Sequence, residues 1–168
     1  YQLSAQPREL NRTDGQNYSH FYPKRLQAEV LLDSIDQLTG IPTTFLNLPP
    51  GTRAISLPDN SYNRASPLLV VFGRPENTSV CECERVQGSS LAQSLHMLNS
   101  DEIKNKVSHD GGRAATLMKA MKSDEENILE LYLRAFSRHP SPEELRFALD
   151  YLSEPVLGND GKPIDESN

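Results

Sequence analysis

Residues 123–152 read SDEENILELYLRAFSRHPSPEELRFALDYL, and this stretch decides the fold class because it encodes two amphipathic helices in succession. Each helix begins with a capping box, in which Ser123 is followed three residues later by Glu126, and Ser141 by Glu144. Apolar residues then recur at spacings of three and four, as in a helix that buries one face. We therefore predict an antiparallel hairpin joined at residues 138–140. Its apolar stripes consist of Ile128, Leu131, Tyr132, Ala135 and Phe136, and of Leu145, Ala148, Leu149 and Leu152.

Further helices are predicted upstream of the hairpin. Residues 23–38 (PKRLQAEVLLDSIDQL) repeat apolar side chains at helical spacing, and a proline opens the segment. Residues 91–98 (LAQSLHML) form another helix, whose first turn Ser89 or Ser90 can cap. A new helix begins after Ser100, where two acidic residues favour a first turn.

Residues 41–74 interrupt the helical pattern with five prolines. The segments TRAISL (residues 52–57) and LLVVF (residues 68–72) are strand-like, because they are rich in extended-favouring side chains. We predict a long ordered loop with at most one or two short strands. The fold class is a mainly α, small helical domain in which the C-terminal hairpin packs on the helix of residues 23–38.

The length of 168 residues, 36% of them hydrophobic, suits one domain with a modest core. We expect residues 1–152 to form this single helical domain and residues 153–168 to form a polar, acidic tail. The chain opens at Tyr1 in a polar stretch, so it is expected to be a fragment of a larger protein.

Charge and composition argue against several classes of function. The net charge is −6, aromatic residues make up 7% of the chain and tryptophan is absent, so the basic surface of a nucleic-acid-binding protein is missing. No apolar run approaches the roughly 18 residues that a membrane-spanning helix needs. Two cysteines are too few for a disulfide framework.

The densest group of polar side chains lies in residues 74–99. The favoured interpretation is structural, since Arg and Glu at a loop-to-helix junction commonly pair and fix irregular backbone. The catalytic interpretation is that two carboxylates perform acid–base chemistry, as in glycosidases. Candidate catalytic residues are Glu82, Glu84, Arg85 and His96, and candidate binding residues are Arg74, Gln93 and Asn99.

Cys81 and Cys83 stand at i and i+2, which places both thiols on one side of an extended segment. That arrangement could serve a soft metal or a redox pair. A zinc site would need two more ligands, for which His96 and His109 have no patterned spacing. We therefore predict two free thiols and no bound metal.

Five segments occur in a fixed order: KRLQAEVLLDSI, LPDNSYN, FGRPE with CECER, LAQSLHMLNS and ILELYLRAFSRHPSPEEL. In this combination the chain resembles the C-terminal planctomycete-specific domain of unknown function, from about Pro7 to Leu152. The matching positions are Arg25, Ala28, Glu29, Asp33, Arg74, Pro75, Glu84, Arg85, Gln93, Leu95, Asn99, Arg138, Pro140, Glu143 and Glu144.

The resemblance implies an exported or periplasmic multidomain bacterial protein, of a kind that often carries a cytochrome-c-like domain. The haem-attachment pattern C-x-x-C-H is absent from this chain, so no covalent haem is expected here. We expect no cofactor for this chain. The upstream part of the family domain is also missing, which implies that upstream domains or another protein cover the helices. The expected function is a non-catalytic structural or interaction module. The alternative is part of an enzyme, possibly acting on polysaccharide through residues 74–99.

Overall fold

The computed structural model describes residues 4–22, 24–75 and 90–154. Within these ranges the chain forms α-helices and short 3-10 helices and contains no β-strand, so the mainly α prediction is confirmed. The α-helices are α1 (Ala28–Thr39), α2 (Pro67–Val71), α3 (Leu91–Asn99), α4 (Asp101–Val107), α5 (Arg113–Lys119), α6 (Asp124–Phe136) and α7 (Pro142–Ser153). The 3-10 helices are Glu9–Asn11, Ala54–Ser56 and Asn60–Ala65.

The helix starts that the sequence predicts from its caps are confirmed. Ser123 and Ser141 each accept a hydrogen bond from the backbone N–H three residues on, and the glutamate there accepts one in return. Ser90 caps α3 in the same way, with Gln93 closing the box. Each cap satisfies first-turn N–H groups that have no partner inside the helix.

Neither of the two strand-like segments forms a strand in the structure, so the strand interpretation is wrong. Residues 68–72 lie in and directly after α2, where Pro67 occupies the first turn and the Phe72 N–H donates to the Leu68 carbonyl at 2.9 Å. Residues 52–57 contain the 3-10 helix Ala54–Ser56. Both segments are too short to distinguish strand from buried helix by pattern. The Phe72 N–H finds its partner within its own helical turn, whereas the Ala54 and Ile55 N–H groups donate to Asp33 of α1.

Helix α1 lies at the centre of the fold and begins at Ala28, five residues later than position 23, where the sequence pattern predicts its start. It contacts α2, α4, α5, α6 and the 3-10 helix Ala54–Ser56. The core is built largely from the proline-rich segment and α2 packed on α1. Its buried members are Ala28, Leu32, Phe45, Ala54, Leu68, Leu69 and Phe72.

The C-terminal hairpin packs on this centre through α6, and α7 packs in turn on α6. Ile128 is buried in α6, whereas Phe136 is 61% exposed, and α7 has no fully buried residue. The apolar stripes of the hairpin are therefore less buried than their regular spacing suggests. No helix among the described residues combines the length and the apolar character needed to cross a membrane.

Candidate functional site

Arg74, a candidate binding residue, is an internal anchor in the structure. Its Nε donates to the Glu29 carboxylate at 3.1 Å, and both side chains are about 95% buried. Its Nη1 donates to the Asn63 side-chain oxygen at 2.9 Å and its Nη2 to the Asp59 carbonyl at 3.1 Å. All three guanidinium nitrogens thus bind groups of the chain itself.

Gln93, a second candidate binding residue, is also buried. Its Nε2 donates to the Val71 carbonyl at 3.1 Å, and its Oε1 accepts from the Ser90 N–H and from Nη1 of Arg25. The Arg25 guanidinium lies 5.7 Å from the centre of the Phe72 ring, within cation–π range. Gln93 therefore fastens the start of α3 to the end of α2.

His96 and Asn99 differ from Gln93 in their surroundings. The His96 ring meets the Phe72 ring nearly edge-on at 6.4 Å, and its buried Nε2 has no hydrogen-bond partner among the described residues. Asn99 is exposed at the end of α3. Gln93 and Asn99 thus share a helix but not an environment, and the three residues do not line one open wall.

The other candidates, Cys81, Cys83, Glu82, Glu84 and Arg85, lie outside the described residues.

Two acidic residues of α1, the buried Asp33 and the half-buried Asp36, hold the proline-rich segment, and the sequence analysis assigned neither of them a role. The Asp33 carboxylate accepts from the Ala54 N–H at 2.6 Å and the Ile55 N–H at 3.2 Å, at the start of a 3-10 helix. The Asp36 carboxylate accepts from the Thr43 N–H at 2.6 Å. These bonds satisfy backbone groups that have no partner in a sheet or a long helix.

Lys106 of α4 completes this second group. Its ammonium donates to the Asp36 carboxylate at 2.7 Å, the Ile41 carbonyl at 2.9 Å and the Thr43 hydroxyl at 3.0 Å, which uses all three of its donors. Its side chain is 8% exposed. A buried ammonium with every donor used is suited to holding elements together and leaves no proton donor for a ligand.

An open cavity of about 360 Å³ borders Asp33 and Asp36, with Gln37, Thr52 and Arg53 at its edge. It is the kind of concave site where a ligand would be sought. Both carboxylates facing it already bind backbone N–H groups, and each also pairs with a cation, Arg53 or Lys106. The cavity therefore lies beside structural contacts.

The polar groups of the hairpin are likewise paired with each other. Arg138 forms a bidentate pair with Glu144, with both nitrogen–oxygen distances at 2.7 Å, and its guanidinium lies over the Tyr132 and Phe136 rings. This pair, with the Ser141 N–H, lowers the pKa of the Glu144 carboxyl to about 2. The pair fixes the turn that joins α6 to α7.

A family model described as PSD1, protein of unknown function (DUF1553), matches residues 1–152. The chain belongs to the PSD1 family. No curated protein and no solved structure matches the chain.

Membership of the PSD1 family confirms the sequence-based resemblance at the level of a domain of unknown function. Several polar positions that carried that resemblance are the ones that the structure pairs internally. They are Arg25, Glu29, Asp33, Arg74, Gln93, Arg138 and Glu144. In this member of the PSD1 family, these residues hold separate segments of the chain together.

The sequence contained one signal for the missed residues. Glu29, Asp33 and Asp36 recur at i, i+4 and i+7 in α1, next to the buried positions Ala28 and Leu32. Acidic residues in the same rows as an apolar stripe share its burial, because residues three and four apart lie on one face of a helix. Such carboxylates need internal donors, and the structure supplies them.

Proposed function

We propose that this chain is a non-catalytic structural or interaction module of an exported, multidomain bacterial protein. Residues 1–152 act as one helical domain and residues 153–168 as a polar tail. The parent protein is of the planctomycete kind that often carries a cytochrome-c-like domain. Its partners are upstream domains of the same polypeptide.

One observation carries the proposal: the charged side chain at the start of the candidate site, Arg74, is buried and directs all three guanidinium nitrogens to groups of its own chain. A catalytic or binding arginine has to present donors to a ligand. Gln93, the second buried candidate, likewise bonds to the Val71 carbonyl and to Arg25.

Exposed apolar surface on the hairpin supports an interaction role. Phe136, Phe147 and Tyr151 are 61%, 75% and 70% exposed, respectively. Large exposed apolar side chains of this kind are often covered in protein–protein contacts. In the proposed parent protein, upstream domains cover this surface.

Hydroxyl-radical footprinting of the parent polypeptide and of the isolated chain tests the proposal. We expect Phe136, Phe147 and Tyr151 to be labelled less in the parent polypeptide, because neighbouring domains shield them. Tyr18 is a matched reference, since it is 73% exposed and lies outside the hairpin. Equal labelling of all four residues in the two proteins contradicts the proposal.

The alternative function is part of an enzyme that acts on polysaccharide, and it depends on residues 74–99. The unpartnered Nε2 of His96 is the one feature of the described part of this region that favours it. Release of reducing sugar by the parent protein, lost in His96→Ala with the fold intact, would favour the enzyme. Unchanged release in that variant would place any such activity elsewhere in the parent protein.

A further inference from the structure

Two aromatic side chains of α7 project into solvent. Phe147 and Tyr151 are 75% and 70% exposed and stand four residues apart, so they form one ridge along the helix. Leu145 and Leu149, elsewhere on α7, are partly buried, and α7 packs on α6. The aromatic ridge is thus a free apolar face of a helix that is anchored to the rest of the fold.

A row of carboxylates runs beside this ridge. Glu143, Asp150 and Glu154 are exposed, and no ion pair joins them to another residue in the described ranges. At about 100° per residue, the three positions fall within about 40° of one another, next to Phe147. Arg146, the one cationic residue between positions 142 and 153, falls on the far side of the row. Because three carboxylates face this one flanking arginine, the face combines apolar anchors with an excess of negative charge.

This combination restricts what can cover the ridge. Anionic lipid and nucleic acid would be repelled by the carboxylate row. A second copy of the chain in a twofold arrangement would bring the same acidic row against itself. Residues 155–168 are also acidic, with three carboxylates and one lysine, and so lack the complementary charge. A cationic protein segment satisfies both the apolar and the electrostatic requirement.

We propose that the ridge of Phe147 and Tyr151 docks a helical protein segment whose apolar side chains are flanked by lysine or arginine. The inference rests on the proposed interaction function and names the chemistry of the partner. The aromatic rings supply the contact area, as at the centres of protein interfaces, and Glu143, Asp150 and Glu154 pair with cations at the rim.

The test measures binding of a synthetic helical peptide of leucine and lysine, with its leucines on one face, to the full 168-residue chain. We expect the dissociation constant to rise by at least about tenfold in the double variant Phe147→Ala, Tyr151→Ala, because both anchors are lost. We also expect binding to weaken with added salt, since the rim pairs are exposed.

Matched variants distinguish specific binding at this face from non-specific binding of the peptide to other exposed surface. The double variant Leu91→Ala, Leu98→Ala removes two side chains that are 75% and 73% exposed on α3, and it should leave binding unchanged. Asp150→Lys should weaken binding more than Glu125→Lys, which makes the same change of charge on α6. The proposal would be overturned if the α7 and α3 double variants lost the same peptide affinity, or if Asp150→Lys and Glu125→Lys did.

Peptide binding tests the chemistry of the partner, whereas shielding of α7 in the parent protein tests the proposed function. Absence of peptide binding, or equal binding of a leucine–glutamate peptide, overturns the cationic partner. If α7 is nevertheless shielded in the parent protein, the interaction function stands with a partner of different chemistry. If α7 is not shielded there but the lysine peptide binds at the ridge, the inference stands and the partner is a separate protein.

Discussion

Arg74 and Glu29 are 45 positions apart in the sequence, yet the Arg74 Nε and the Glu29 carboxylate lie 3.1 Å apart with both side chains almost fully buried. The pair joins the first turn of α1 to the chain that leaves α2. Asn63 and the Asp59 carbonyl take the remaining guanidinium nitrogens, so a third segment is held at the same point. A buried pair of this kind is costly to break from one side, because the partner charge is left in an apolar environment.

Arg74→Ala should therefore lower the free energy of unfolding by about 3–5 kcal/mol, because it removes the buried cation that pairs with the Glu29 carboxylate. Arg53→Ala is the matched control: Arg53 also pairs with an α1 carboxylate, Asp33, but its side chain is 68% exposed, so a change of about 0–1 kcal/mol is expected. Urea denaturation of both variants measures the difference. Equal midpoints would show that burial does not distinguish the two pairs.

Leu68 and Phe136 differ in burial, and their substitutions should therefore differ in cost. Leu68 is fully buried between α1 and the proline-rich segment, so Leu68→Ala should cost about 2–5 kcal/mol. Phe136 has the regular spacing of a core residue but is 61% exposed, so Phe136→Ala should cost clearly less. Thermal unfolding followed by circular dichroism measures both. A larger loss in the Phe136 variant would contradict the observed placement of the core.

The pH dependence of stability should reflect the Glu144 carboxylate. Its pKa falls from 4.5 to about 2 because it accepts hydrogen bonds from Arg138 and from the Ser141 N–H. A folded-state pKa below the unfolded value means that the stabilisation is present above about pH 4.5 and is lost as the pH falls towards 2.

Glu144→Gln should therefore have a lower urea midpoint than the unaltered chain near neutral pH, and the gap should close below about pH 4.5. Glu143→Gln is the neighbouring control, since Glu143 is exposed and forms no ion pair with a described residue. A gap that stays constant down to about pH 2 would argue against the pair as its cause.

Gly112 lies at a close approach of α1 and the start of α5. A Cβ at this position would lie 2.9 Å from the His109 carbonyl oxygen and 3.4 Å from that of Thr39. Gly112→Ala should cost about 1–3 kcal/mol, since backbone atoms have to move. Gly15→Ala, where the new atom has no neighbour within 4 Å, should have little effect. Similar losses of thermal stability in both variants would contradict the close approach.

Local sequence determined the helices of the C-terminal half. Ser90, Ser123 and Ser141 cap α3, α6 and α7 as their spacing to Gln or Glu predicts, because a capping box involves residues only three positions apart. The family membership also follows from sequence, since a family model matches residues 1–152.

Tertiary structure decided the rest. Residues 68–72 form no strand because no neighbouring strand in the described chain offers a ladder of backbone hydrogen bonds. Arg74 and Gln93 bind Glu29 and Arg25, which come from a distant part of the chain, so local sequence does not reveal these contacts. From local sequence alone, a charged side chain is interpreted as part of a site or of the exposed surface. Only long-range packing shows which charged side chains are buried with a partner.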